Sequence, residues 1–372
     1  MGRRGGGLAV YVTSHGFGHL NRTVAVLNRI PADVPMTICC HPDLFQHWRE
    51  RLLRPAELRS HVSDAGAVNP VGDSAATDGP ATLKLAASVH AEALARVDQE
   101  AEWLRAAGVA TVLCDAPPVP LVAARQAGLP AYLLANFTWA DIYESHAKAL
   151  DDDARRLVLA LRAAYRQATA VFHAQPALAM SWLPRRIDVG MVVTPGRDLR
   201  VELRRTLGLG PNERLVYFYV GRYGQEGMDW ERIERWECQG VHFVGFHEAS
   251  VGPLANLHVL PPERWTGADL AASSDAIVAK AGYGSSCEAM VAGTPMIYPP
   301  RTGFAEFRAL DRALRTWGGG LPVSRRKFDA LRFEGPLKRA FQFQPGPAPF
   351  PSDGARRVAE HLTRLCRGLA VA

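Results

Sequence analysis

Short apolar runs alternate with amphipathic stretches along almost the whole chain, and they do so in two successive series. In the first, apolar runs at 8–13, 36–40, 110–114, 131–134 and 170–173 are separated by helical patterns at 20–29, 43–53, 81–107, after Pro120 and at 151–167. In the second, runs at 215–220, 241–244, 257–260, 276–280, 296–298 and 321–323 are separated by helical patterns at 199–207, 228–238, 266–273, 286–292 and 306–316. Such alternation signals strands of a parallel sheet joined by crossover helices. Two series predict two α/β domains, in keeping with 372 residues, a length that usually splits its core. Breakers gather in 184–198, with Pro184, Gly190, Pro195 and Gly196, and mark this segment as the interdomain linker. The domains are expected over 1–190 and 191–350. Pro345, Pro347, Pro349 and Pro351 form a stiff spacer before a last helix near 353–369, so 351–372 is expected to stand apart as a C-terminal element. Ligands of such sheets collect at the carboxyl ends of the strands, which places the binding site in a cleft between the domains.

The 43 Lys and Arg against 37 Asp and Glu leave a net charge of +6. That excess suits phosphate-bearing small molecules or an anionic membrane surface without establishing either. No basic block points to nucleic acid: Arg3-Arg4, Arg185-Arg186, Arg204-Arg205 and Arg325-Arg326-Lys327 are short and scattered. No apolar run approaches the roughly 20 residues of a membrane span, and the run after the first glycines is too short for a secretory leader. A cytoplasmic protein is expected. Six cysteines without a Cys-x-x-Cys pair read as reduced and mostly buried.

The strongest local signal is Lys280-Ala281-Gly282-Tyr283-Gly284-Ser285-Ser286-Cys287-Glu288-Ala289, followed by Gly293-Thr294-Pro295. It sets glycines where a buried strand turns into a helix. Free N–H groups and the positive end of the helix dipole collect there beside two hydroxyls, so a diphosphate is the natural guest. Glu288, about one turn on, is placed to accept hydrogen bonds from ribose hydroxyls. Ser285 and Glu288 also have capping-box spacing, so a plain helix start accounts for that pair as well. A second glycine turn, Gly221-Arg222-Tyr223-Gly224, would bring further amides and one cation toward the same phosphates. In the first series, His15-Gly16-Phe17-Gly18-His19 follows the first strand, and an imidazole at that turn suits a general base. His19 is the first candidate and His15 the reserve.

Gly18-His19 in the first half, and Lys280-x-Gly282-Tyr283-Gly284-Ser285-x-x-Glu288-Ala289 with Gly293-x-Pro295 in the second, together resemble the GT-B glycosyltransferases. The nearest pattern is the branch holding MurG-type N-acetylglucosaminyltransferases and the glycosyltransferase-like half of L-arabinokinase-type proteins. The resemblance covers nearly the whole chain. It implies two Rossmann-like domains facing across a cleft, an N-terminal acceptor domain and a C-terminal donor domain, with the final helix crossing back to the first. It further implies an NDP-sugar, UDP- or TDP-linked, as donor substrate with no other cofactor, inversion at the anomeric carbon, no metal, and a small-molecule or lipid-linked acceptor. Residue by residue, it makes His19 the base next to Gly18, with Ser285 and Ser286 on the diphosphate beside Gly282 and Gly284; the turn at Gly221 and Arg222 would add amides and a cation to stabilise the leaving charge. It makes Glu288 the ribose ligand, Leu260 and Pro261 the cradle of the nucleotide base, and Arg301 a donor-sugar contact.

Two departures keep other activities open. Asn21-Arg22 stands where natural-product glycosyltransferases carry a proline, and Gly-His-x-x-Arg is similar to UDP-sugar hydrolases, in which water attacks. Arg301 with Glu306 is faintly similar to NDP-sugar 2-epimerases, whose paired glycines and second glutamate are missing. A nucleotide-sugar sensor without catalysis is a third reading. The segment 136–143 is expected to expose Phe137 and Trp139 as a platform for an acceptor sugar, with Asn136, Thr138 and Asp141 as polar contacts, although a core Trp explains it equally well. Within reach of His19, Asp141 would orient the imidazole. A lipid-linked acceptor leaves peripheral membrane contact open.

Overall fold

The computed structural model describes residues 6–70, 76–147, 152–183, 185–220, 228–236 and 239–370. Among these, thirteen strands form two wholly parallel sheets. The first holds β1 (Gly7–Val12), β2 (Met36–Cys40), β3 (Glu57–Ser60), β4 (Val109–Asp115), β5 (Ala131–Ala135), β6 (Ala170–Ala174) and β7 (Arg186–Gly190), in the order β3-β2-β1-β4-β5-β6-β7. The second holds β8 (Arg214–Tyr219), β9 (Val241–Gly245), β10 (Leu257–Val259), β11 (Ala276–Ala279), β12 (Met296–Tyr298) and β13 (Gly320–Pro322), in the order β10-β9-β8-β11-β12-β13. Each sheet begins near its middle, runs to one edge, returns, and runs to the other. The strand order therefore reverses between β1 and β4 and again between β8 and β11, and loops leaving such a pair diverge to open a crevice. His19 follows β1, Asp115 ends β4 and the Lys280–Ser286 stretch follows β11, so the chain delivers its motifs to both crevices.

The central strands are buried on both faces, as in Leu8 to Val12 and Ala276 to Ala279, which is why they read as unbroken apolar runs. The edge strands β3 and β7 are mixed, Glu-Leu-Arg-Ser and Arg-Ile-Asp-Val-Gly, and gave no such signal. β7 lies inside the expected linker and continues the first sheet to Gly190. The pattern at 81–107 is two helices, Gly79–Leu94 and Val97–Ala106, broken at Arg96. Most of segment 136–143, expected to expose its aromatics, lies in the helix Trp139–Ala147.

The last helix, Gly354–Cys366, packs on β1, β4, β7 and the helix Phe17–Leu27 of the first domain. Its start lies so close to the end of β7 that a Cβ on Gly354 would stand 2.6 Å from Met191 O and 2.7 Å from Val189 O. Its end is tied by Gly6 N–H donating to Cys366 O at 2.9 Å. One apolar cluster runs through this helix, Phe17–Leu27 and, on the second domain, Leu215, Tyr283 and Cys287, so the two domains share part of a core. Among the described residues no helix is long and apolar enough to cross a membrane, and the five described cysteines are unpaired and buried.

Candidate active site

The helix after β1 starts at Phe17, three residues earlier than its apolar pattern suggests, so Gly18 and His19 lie in its first turn. His19 is buried, 8% exposed, and its Nδ1 donates to Asp115 Oδ1 at 2.7 Å. Asp115 is completely enclosed and also accepts from Arg22 Nε at 3.0 Å, from Arg22 Nη2, and from Thr23 Oγ1 at 2.7 Å. Burial alone would raise its pKa, yet the Arg22 guanidinium and His19 hold it well below the usual carboxylate range. A carboxylate so held can only accept, which places a proton on Nδ1 and selects, for the neutral ring, the tautomer whose lone pair is on Nε2. Among the described residues nothing bonds Nε2. The residue after Asp115, Ala116, has φ +81°, a strained value for a residue with a Cβ, at the point where β4 must turn sharply.

His15 behaves differently. Its Nδ1 accepts from Ala67 N–H at 3.1 Å, so its proton sits on Nε2, and burial together with His19, Arg301 and Lys280 lowers it to about 3. A neutral imidazole presenting N–H is a donor, which removes His15 as reserve base.

Across the cleft, the helix Tyr283–Ala292 begins at Gly282, not near Ser286, and Gly282 makes no side-chain cap. Ser285 is therefore the third helical residue and cannot cap the helix, which overturns the capping-box reading. Among the described residues the first N–H groups of this helix lack a side-chain partner, and none beyond its chain neighbours and its own helix backbone comes within 4 Å of where a Cβ on Gly282 would stand. The same is true of Gly18 on the opposite helix. Gly284 follows in the first turn, with Glu288 Oε1 3.9 Å from its Cβ position. Ser286 is fully buried and its Oγ has no partner among the described residues. Glu288 is partly open to solvent but ringed by protein beside Tyr217, Tyr219 and Gly267, and burial pushes it up to about 7.

The two sides meet. Arg22 lies over the Tyr283 ring, 5.0 Å from its centroid, while the Tyr283 hydroxyl donates to Gln175 O at 3.0 Å and accepts from Val192 N–H at 2.9 Å. Arg301 lies over Phe304 at 4.2 Å and faces Glu306 at 3.5 Å; its burial lowers its basicity. Leu260 packs its side chain into the core while its N–H donates to Gly245 O at 2.8 Å, and Pro261 is exposed beside it. Gly221 and Arg222 lie outside the described residues.

Two expectations fail on packing. Phe137 and Trp139 are 3% and 0% exposed, with Trp139 donating Nε1–H to Asp64 at 2.6 Å, so they are core residues and no sugar platform. Asp141 accepts from Thr138 N–H and Oγ1 and from Trp182 Nε1 at 3.0 Å, which anchors the start of its own helix and leaves the orienting role to Asp115. The signal for Asp115 was an acid closing the apolar run at 110–114, at the carboxyl end of the strand that lies beside the first.

No known protein-family profile matches the chain. It is 28% identical over 346 residues to L-arabinokinase of Arabidopsis thaliana, a match that takes in 91% of this chain and 32% of the plant protein, so the chain spans about a third of that relative. Among solved structures it is similar to a UDP-glucosyltransferase from Polygonum tinctorium capable of glucosylating indoxyl (TM-score 0.63, 13% identity, 98% of this chain and 99% of the other). It is also similar to CalG4, the calicheamicin glycosyltransferase (0.60, 16%, 99% and 96%). MurG of Acinetobacter baumannii matches at 0.52 with 13% identity over 95% of this chain and 98% of its own. The chain has the GT-B fold, two Rossmann-like domains facing across a cleft.

Proposed function

We propose that the protein is an inverting, metal-independent glycosyltransferase that moves a sugar from a UDP- or TDP-sugar to a small-molecule or lipid-linked acceptor. The observation that carries this reading is the His19–Asp115 pair at one strand-order reversal, set opposite an uncapped, glycine-opened helix start at the other. The donor diphosphate sits on the first N–H groups of Tyr283–Ala292 with the Ser285 and Ser286 hydroxyls, where the helix dipole meets its charge. Glu288 takes the ribose, Leu260 and Pro261 flank the nucleotide base, and Arg301 faces the donor sugar. His19 Nε2 removes the acceptor proton while the acceptor oxygen bonds to the anomeric carbon. The bond from that carbon to the diphosphate oxygen breaks, and its electron pair leaves with the nucleoside diphosphate. Attack opposite the leaving group inverts the centre, and Asp115 stabilises the imidazolium that forms.

Melting temperature with millimolar nucleoside diphosphates in the presence of EDTA tests the binding half: UDP or TDP is expected to raise it, and no response to any of them overturns the reading. Burial of Phe137 and Trp139 favours one alternative, hydrolysis of the donor by water, since it removes the expected acceptor platform. Acceptor-dependent release of nucleoside diphosphate supports transfer, whereas equal release with and without acceptor assigns the site to hydrolysis.

A further inference from the structure

We infer that Glu306, on the second domain, is a positioning residue for His19 on the first, acting through Asn136 and Arg22. Every link is buried and directional. Arg22 Nη1 donates to Asn136 Oδ1 at 2.5 Å, which fixes the amide so that Nδ2 faces the other way, and Nδ2 donates to Glu306 Oε1 at 2.7 Å. Arg22 grips Asp115 with Nε and Nη2, and Asp115 accepts the hydrogen bond from His19 Nδ1. Arg22, Asp115, Asn136 and Glu306 are at most 4% exposed. An unbroken polar chain therefore runs from Arg301 through Glu306, Asn136, Arg22 and Asp115 to His19, and it changes domain between Asn136 and Glu306.

The chemistry of the links explains why the far end matters. A guanidinium holds its donors in one rigid plane, so anchoring Nη1 on Asn136 sets the angle at which Nε and Nη2 meet Asp115. Without Glu306, the Asn136 amide has a buried donor with no acceptor and turns to find one. Arg22 then loses its anchor, the Asp115 carboxylate swings, and the imidazole loses the orientation that points Nε2 into the cleft. Glu306 belongs to the domain assigned to the donor, so the base is held in register only while that domain is docked.

The kinetic arm of the test rests on the proposed transferase reading; a spectroscopic arm does not. Asn136→Ala, Glu306→Ala, Glu306→Gln and the double alanine variant are compared in the full chain. Histidine-nitrogen NMR, with His19→Gln for assignment, follows exchange of the His19 Nδ1 proton and needs no substrate. Exchange is expected to quicken about 10-fold or more in Asn136→Ala and Glu306→Ala, and no further in the double variant, because both cut one chain. Glu306→Gln, which keeps an oxygen for Asn136 Nδ2, is expected to restore most of the protection. In turnover, Asn136→Ala leaves the Arg301–Glu306 pair intact and is expected to lower kcat by about 10-fold or more with donor Kd within about 3-fold. Unchanged exchange in variants that melt like the parent, or additive effects in the double variant, overturns the inference. If Asn136→Ala does not fold, the contrast between Glu306→Ala and Glu306→Gln decides. A parent protein inert toward every nucleotide sugar removes the transferase reading and leaves the exchange result standing.

Discussion

Four donors converge on the Asp115 carboxylate, and a carboxylate enclosed in that way both orients the His19 imidazole and neutralises a buried guanidinium. Asp115→Asn is expected to cost about 3–5 kcal/mol in denaturant unfolding, since Arg22 stays buried without its counter-charge. His19→Gln keeps a side chain of similar reach without a base, and a fall in kcat of about 100-fold with donor Kd almost unchanged is expected from single-turnover and calorimetric measurements. The two site carboxylates have opposite pH signatures. The contribution of Asp115, depressed from 3.8, is present above that value and is lost as pH falls below it. Glu288, raised from 4.5 to about 7, keeps a proton in the folded state that the unfolded chain has released, so stability falls as pH rises through that window. Glu288→Gln is expected to flatten that decline, read as melting temperature against pH; an unchanged slope assigns it to other groups.

At the level of elements, the decisive feature is where two helices begin. Both start before the apolar periodicity does, at Phe17 and Tyr283, and so carry glycines in their first turns or at their caps. Gly282 adopts extended backbone that valine also accepts, with open space above it among the described residues. Gly282→Val is therefore expected to fold normally and to bind UDP or TDP at least about 10-fold more weakly, because the branched side chain fills the proposed phosphate cradle. Ser286→Ala separates stability from binding. Removing a buried hydroxyl with no described partner leaves folding neutral or slightly improved, while loss of a diphosphate contact weakens binding by about 1 kcal/mol. Parallel weakening of both, by thermal melting and calorimetry, assigns the hydroxyl to folding instead.

For the molecule as a whole, the last helix is the connection that returns the second half of the chain to the first. Val358 and Leu362 are fully buried against the first domain, with Ala355, Ala359 and Cys366 beside them. Each large aliphatic side chain contributes about 1.5–3 kcal/mol by burial, against a total stability of about 5–15 kcal/mol for a typical domain. A chain ending after Pro351 is expected to lose its cooperative thermal transition and to become protease-sensitive in the first domain. An unchanged melting curve would show instead that the first domain stands without it.

Alternating apolar runs were enough to establish two parallel sheets, because strands buried on both faces must be apolar throughout. The glycines around His19 and Ser285 marked the two helix openings, because only small residues leave amides open to an anion. Periodicity carried no information on the polar edge strands β3 and β7, one of which lies inside the expected linker. Aromatics at 137 and 139 read the same whether exposed or enclosed, so only packing decided that they are core. The partner of His19 was decided by sheet order: β4 lies beside β1, which brings Asp115 to a histidine 96 residues away, while Asp141 turns to its own helix. A sequence records which residues can make a strand or open a helix; which strands become neighbours is settled only when all of them pack at once.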